Sequence, residues 1–143
     1  QLDMDAIQLY CVGKVVDSVE QLGIKVLGKI QDPNQLATIY AAADLFIIPS
    51  LEDNLPNTVI ESLMCGTPVL GFPVGGIPEM VIPGENGFLA SEVSVQGLSK
   101  ALQFSLENLN QLDRKEISNK AKSKYSSEIQ AKKYIKLYRS LLN

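Results

Sequence analysis

Histidine and tryptophan are absent from the 143-residue sequence, arginine occurs only at Arg114 and Arg139, and cysteine only at Cys11 and Cys65. Without histidine the chain offers no Ser-His-Asp or Cys-His catalytic arrangement and no histidine-bound zinc. Its chemistry is left to carboxylates, hydroxyls, lysines and backbone dipoles. Positive charge is also sparse, with 13 Lys and Arg against 16 Asp and Glu and a net charge of -3. A nucleic-acid partner, which requires a basic face, is therefore not expected. No apolar run approaches the roughly 20 residues of a membrane helix. No basic-then-apolar signal segment opens the sequence, so it reads as cytoplasmic. The two cysteines, far apart inside apolar stretches, are expected as reduced, buried thiols. The first residue is Gln1 rather than methionine, as expected of a domain cut from a longer protein.

What is present is the composition of an ordinary globular domain, 45% hydrophobic and 20% charged. Short apolar runs alternate with helical patterns, the arrangement of a parallel sheet wrapped by helices. Strands are expected at 7–12, 25–27, 44–49, 68–72 and 88–90. Helices are expected near 16–22, over 35–43 after an Asp32-Pro33-Asn34 start, and over 57–64 with Gly66 as the stop. Tight turns are expected at 75–78 and 84–87. Beyond Val93 the chain turns to helix formers, with helices over 95–106 and 114–125. A last helix carries Tyr134, Ile135, Leu137, Tyr138, Leu141 and Leu142 at three-and-four spacing, a stripe read as core. No repeat or linker interrupts the chain, and a single α/β domain over 1–143 is expected.

In open parallel sheets ligands bind beyond the carboxyl ends of the strands, where a loop runs into a helix. The apolar strand through Ile47 and Ile48 leads to such a loop. It contains Glu52, Asp53, Asn54 and Leu55, then Pro56, before a helix opens at Asn57 and Thr58. The free N–H groups of a first helical turn, with the helix dipole, suit an anion such as a diphosphate without any basic residue. Glu61 lies one turn into that helix, and carboxylates are good acceptors for the vicinal hydroxyls of a sugar. A second reading makes Glu52, Asp53 and Glu61 only capping charges at a helix start. The residues alone leave both open.

The stretch 41–70, AAADLFIIPSLEDNLPNTVIESLMCGTPVL, resembles the donor-site signature of family-4 glycosyltransferases. The later segments 75–79, GGIPE, and 86–89, NGFL, match that family in order and spacing, so that matching features run from Gly13 to Gly87. The resemblance implies a Rossmann-like three-layer domain with a parallel sheet, the C-terminal half of a two-domain GT-B enzyme. Such enzymes bind a nucleotide sugar in that half, transfer its hexose with retention of configuration and use no metal or other cofactor. By the resemblance Glu61 holds the ribose hydroxyls. Asp53 stands where the family's first glutamate contacts the transferred sugar, and Glu52 beside it is placed to share the work of that shorter side chain. The loop around Asn54 and Leu55 and the amides of Asn57 and Thr58 would cradle the distal phosphate. Pro56, where a glycine is common, donates no hydrogen bond. Gly28, Lys29 and Ile30 match the place where backbone groups meet the nucleobase, though a pure turn accounts for Gly28 as well. Gly75 and Gly76 would let the backbone approach the donor, and a tight turn accounts for them nearly as well. Glu79 is expected to cap the short helix that follows, and Thr58 also reads as a plain solvent-facing first-turn residue.

The resemblance is incomplete. The family's arginine and lysine that stabilise the leaving diphosphate have no counterpart before Gln8, and Lys14 follows Gly13 without an arginine. The acceptor site belongs to the family's N-terminal domain, toward which the last helix also crosses. The chain by itself is therefore expected to bind donor weakly and to transfer no sugar. The expected partners are a UDP-sugar or GDP-sugar, the N-terminal acceptor-binding domain, and a glycan or lipid-linked acceptor in polysaccharide, lipopolysaccharide or capsule synthesis. The whole enzyme would work in the cytoplasm, at the inner face of the membrane if its other domain attaches there. A non-catalytic nucleotide-sugar-binding module is the alternative. A nucleotide-sugar isomerase would call for histidines. A dinucleotide-binding fold lacks its glycine fingerprint at Val12-Gly13-Lys14, and a signalling receiver lacks its acidic cluster at the first strand's end.

Overall fold

A computed structural model of the chain describes residues 7–14 and 23–142. It divides between Ile39 and Tyr40 into two compact units. In the first, β1 (Tyr10–Val12) pairs in parallel with β2 (Lys25–Gly28), and a register shift brings Val12 opposite Gly28. The Gly13 N–H closes the ladder on the Gly28 carbonyl at 2.8 Å. The strand expected over 7–12 thus narrows to its last three residues, and the helix expected near 16–22 lies outside the described residues. Helix α1 (Pro33–Ala42) starts as the sequence suggests. Asp32 Oδ1 accepts the Asn34 N–H at 3.0 Å and proline fills the first turn. This helix carries the chain across the division.

The second unit runs β3 (Phe46–Ile48), α2 (Asn57–Met64), β4 (Val69–Gly71), α3 (Ile77–Met80), β5 (Gly87–Leu89), α4 (Val95–Asn108), a 3-10 turn (Leu109–Gln111), α5 (Arg114–Tyr125) and α6 (Ser127–Leu141). Its three strands are parallel in the order β3-β4-β5. Register decides the layers. Phe46 pairs with Val69, and Ile47 with Leu70, which pairs with Phe88. Since side chains alternate along a strand, Phe46, Ile48 and Val69 share one face, and Ile47, Leu70 and Phe88 the other. The first face joins Val59 and Leu63 of α2, Ile77 and Met80 of α3, and Ile117 and Ala121 of α5 in one buried cluster. On the second, Phe104 of α4 sets its ring edge against Phe88, centroids 6.0 Å apart. The unit is therefore three layers deep, as the resemblance implies. Each fully buried aliphatic side chain contributes roughly 1.5–3 kcal/mol.

One joint ties the helices together. Arg114 donates from Nη1 to the Ala43 carbonyl at 2.9 Å, and from Nη2 to the Ala41 carbonyl and Thr67 Oγ1, both at 2.8 Å. The Thr67 hydroxyl donates in turn to the Tyr40 carbonyl at 2.5 Å, and Ser62 Oγ donates to the Thr67 carbonyl at 3.0 Å. The carbonyls that end α1 are thus satisfied by side chains from elsewhere, beside a cation that suits a helix C-terminus. Gly66, with φ +79°, ends α2 at the same joint. A Cβ there would stand 2.5 Å from the Arg114 carbonyl, so no other residue lets α5 approach so closely.

The structure corrects several expectations. The Tyr–Leu stripe of α6 is not core. Tyr134, Ile135, Leu137, Tyr138, Leu141 and Leu142 are all at least half exposed, and α6 contributes no buried residue. Its spacing reports an apolar face that packs under nothing in the described chain. Glu79 does not cap a following helix. It sits exposed inside α3, which occupies half of the turn expected at 75–78. Cys11 and Cys65 are free thiols but only half-buried.

Arg114→Lys keeps the charge but cannot span three acceptors with one ammonium. Urea denaturation should show a loss of about 2–3 kcal/mol, since partly buried carbonyls are left without donors.

Candidate functional site at the head of the second helix

Strand β3 delivers the chain at Ile48 to a loop that crosses the strand ends and enters α2 through Pro56. Pro56 sits at the N-cap with φ -65° and ψ 120°, values that its ring pre-sets. Its carbonyl accepts the Val59 N–H at 3.1 Å. No side chain caps this end of α2. The amides of Asn57 and Thr58 have no acceptor within the helix, as in any first turn, and both residues are exposed. The head of α2 is thus an open, unfilled set of N–H donors.

The glycine loop supports it from the side. The Gly76 N–H donates to the Asp53 carbonyl at 3.2 Å. A Cβ on Gly75 would stand 1.7 Å from that carbonyl, and one on Gly76 would stand 1.9 Å from the carbonyl of Asn54. Gly75 also holds φ +51°. The two loops lie backbone to backbone, which only glycine allows, so this pair serves the position of residues 53 and 54. The sequence left a tight turn or an approach to the donor as the choices. A loop pressed on a distant loop gives no signal in linear order.

Asp53 is half-buried in this contact, while Glu52, Asn54 and Leu55 are exposed. Glu61 lies three and four residues beyond Thr58 and Asn57, on the same helix face. It is exposed, and its Oε2 accepts from the Tyr40 hydroxyl at 3.3 Å. The Tyr40 ring is buried and meets Phe46 edge-on, centroids 5.4 Å apart. Burial, and after it the neighbouring Glu61 carboxylate, pushes the Tyr40 phenol well above its ordinary value, so this hydroxyl stays protonated and donates. Cys65, one turn beyond Glu61, is also pushed up, mainly by burial, with Lys122 opposing. The ion pairs among the described residues join Lys120 to Glu85 and Glu116, and Lys132 to Glu128. None engages Glu52, Asp53 or Glu61.

The structure thus brings Asp53, Asn54, Asn57, Thr58, Glu61, Gly75 and Gly76 together around one helix end. Gly28, Lys29 and Ile30 belong to the other unit. There Gly28 has φ +69° and its carbonyl is committed to Gly13, with Lys29 exposed and Ile30 half-buried. Tyr40 and Arg114 have places in this neighbourhood that sequence reading missed. A tyrosine in the last turn of a helix, just before a buried strand, was the available signal for the first. Two shallow crevices of about 220 and 330 Å³ lie apart from the helix head, one beside Phe88 and Phe104, the other beside Leu109 and Arg114. The site itself is an open shelf. Among the described residues no cluster of acids and cysteines is placed to hold a metal ion, and no helix is long and apolar enough to cross a membrane.

The parallel α/β scaffold has counterparts in known proteins. Residues 1–108 match the family model described as glycosyl transferases group 1. The chain belongs to that family. This group 1 chain is 31% identical over 126 residues to the D-inositol 3-phosphate glycosyltransferase of Corynebacterium urealyticum, covering 85% of its own length and 30% of that protein. It is 32% identical over 128 residues to the lipopolysaccharide 1,2-N-acetylglucosaminetransferase of Salmonella typhimurium, covering 85% of itself and 33% of that enzyme. Among solved structures, the sucrose-phosphate synthase of Thermosynechococcus elongatus superimposes with a TM-score of 0.80 at 28% identity, over 94% of this chain and 38% of that one. The group 1 chain spans about a third of the length of these relatives.

Gly76→Ala tests the loop contact without a positive-φ penalty. The clash with the Asn54 carbonyl should push the 49–56 loop off its seat and cost about 1–3 kcal/mol in thermal unfolding. Limited proteolysis should find that loop cleaved faster than in the parent. Unchanged cleavage would show that the loop does not rely on the glycine.

Proposed function

We propose that this chain is the donor-binding half of a retaining glycosyltransferase that takes a hexose from a nucleoside-diphosphate sugar. The observation that carries the reading is the uncapped head of α2, with Glu61 on the same face and the half-buried Asp53 held beside it. A diphosphate seated on the Asn57 and Thr58 amides meets the positive end of a helix dipole, and needs no metal to offset its charge. The same donors would stabilise the negative charge that grows on the leaving diphosphate, the kind of fixed dipole that contributes most to many transfer reactions. Pro56 supplies no donor, so the load falls on the next two residues and on the Thr58 hydroxyl.

Glu61 accepts from the ribose hydroxyls in this proposal. Asp53, with Glu52 next to it, accepts from hydroxyls of the transferred sugar. Asn54 and Leu55 line the approach, and Gly75 and Gly76 act on the donor indirectly by holding the 53–54 backbone in place. The donor is a UDP-sugar or a GDP-sugar. An acceptor-binding domain outside this chain completes the enzyme and brings a glycan or lipid-linked acceptor, in surface polysaccharide or lipopolysaccharide synthesis. The work is placed in the cytoplasm, with any attachment to the membrane's inner face made through that other domain.

Calorimetric titration with UDP and with GDP tests the reading. One of the two should bind, and Glu61→Ala should weaken it by about 1–3 kcal/mol, the cost of removing an acceptor from paired hydroxyls. Affinity that does not move in the variant would remove Glu61 from the site. The chain alone, supplied with donor and acceptor, should release no transferred sugar.

A further inference from the structure

We propose that Tyr40 is a positioning residue for Glu61, its part-buried hydroxyl fixing one carboxylate oxygen so that the other faces the ligand's hydroxyls. The inference rests on the donor reading of Glu61 given above.

A glutamate on the open face of a helix has three rotatable bonds and, alone, samples many orientations. Here Oε2 is taken by the Tyr40 hydroxyl at 3.3 Å, and no ion pair among the described residues holds the group otherwise. That leaves Oε1 with a restricted direction. The hydroxyl is itself well placed. The tyrosine ring stands edge-on to Phe46 at an interplanar angle of 85°. Its backbone carbonyl accepts from Thr67 Oγ1, and Arg114 secures the carbonyls of Ala41 and Ala43 just beyond it. Position thus passes from α5 and the start of β4, through the end of α1, to the acid on α2.

Packing alone does not require the oxygen. The ring fills its place against Phe46, and phenylalanine would fill it equally. A hydrogen bond to a solvent-exposed carboxylate adds little to folding. What the hydroxyl supplies is direction. A tyrosine hydroxyl is protonated near neutral pH, and burial raises its pKa further, so it serves as a donor to the carboxylate.

The test compares the intact protein carrying this chain with its Tyr40→Phe, Glu61→Ala and double variants. Each is titrated calorimetrically with UDP and GDP and with their 2′,3′-dideoxy counterparts, and each is melted thermally. Tyr40→Phe should weaken the preferred ribonucleotide on the order of 3–10-fold, the size of one hydrogen bond. It should leave the dideoxy nucleotide and the melting temperature unchanged, and add nothing to Glu61→Ala. Equal weakening of both nucleotides, or weakening that persists in the Glu61→Ala background, would show a structural role and overturn the inference. A Tyr40→Phe variant that binds normally while Glu61→Ala does not would overturn the inference and leave the donor reading intact. If Glu61→Ala itself binds normally, or neither nucleotide binds the parent, the donor reading falls and this inference with it.

Discussion

The Arg114 guanidinium gathers three acceptors that lie 47 to 73 positions before it in the chain, and the second unit is organised around that convergence. A helix C-terminus carries carbonyls without partners and a partial negative charge. A planar cation with a fork of donors answers both needs at once, which a lysine cannot. Because α1 ends there, Tyr40 enters its pocket at a fixed height. Because α5 begins there, its apolar face meets α2 at the glycine that stops α2. Thr67 and Ser62 extend the same set of bonds into the start of β4.

From that joint the site follows by geometry. Helix α2 is buried on the side of Val59 and Leu63 and open on the side of Asn57, Thr58 and Glu61. Its head stays uncapped because Pro56 offers no side-chain acceptor. The glycine pair then fixes the loop that brings Asp53 alongside. None of the ion pairs among the described residues engages the acids beside the head of α2. Backbone donors and a helix dipole can hold an anion there, and the proposal gives the acids the polyhydroxyl parts of the same ligand. In the proposed reading the two kinds of group divide one ligand between them.

The apolar face of α6 stands apart from this logic. Its residues repeat as a core helix should, yet they lie in solvent in the described chain. Periodicity reports which residues share a face, and it carries no information on what that face meets. The chain also spans only about a third of the relatives it resembles.

By itself the sequence determined the type of most elements and pointed to a candidate site. Buried parallel strands have to be apolar runs, as at Phe46–Ile48 and Val69–Gly71, and helix limits are written in residues such as Pro56 and Gly66. The expected α2 and α5 therefore coincide with those observed. The spacing of Asn57, Thr58 and Glu61 needed only the helix to place them on one face. Tertiary structure alone decided that Gly75 and Gly76 serve the 53–54 backbone, that Tyr40 touches Glu61, and that Arg114 closes α1. These contacts join residues 21 to 73 positions apart. They depend on distance in space, which propensity and periodicity, being local along the chain, do not encode.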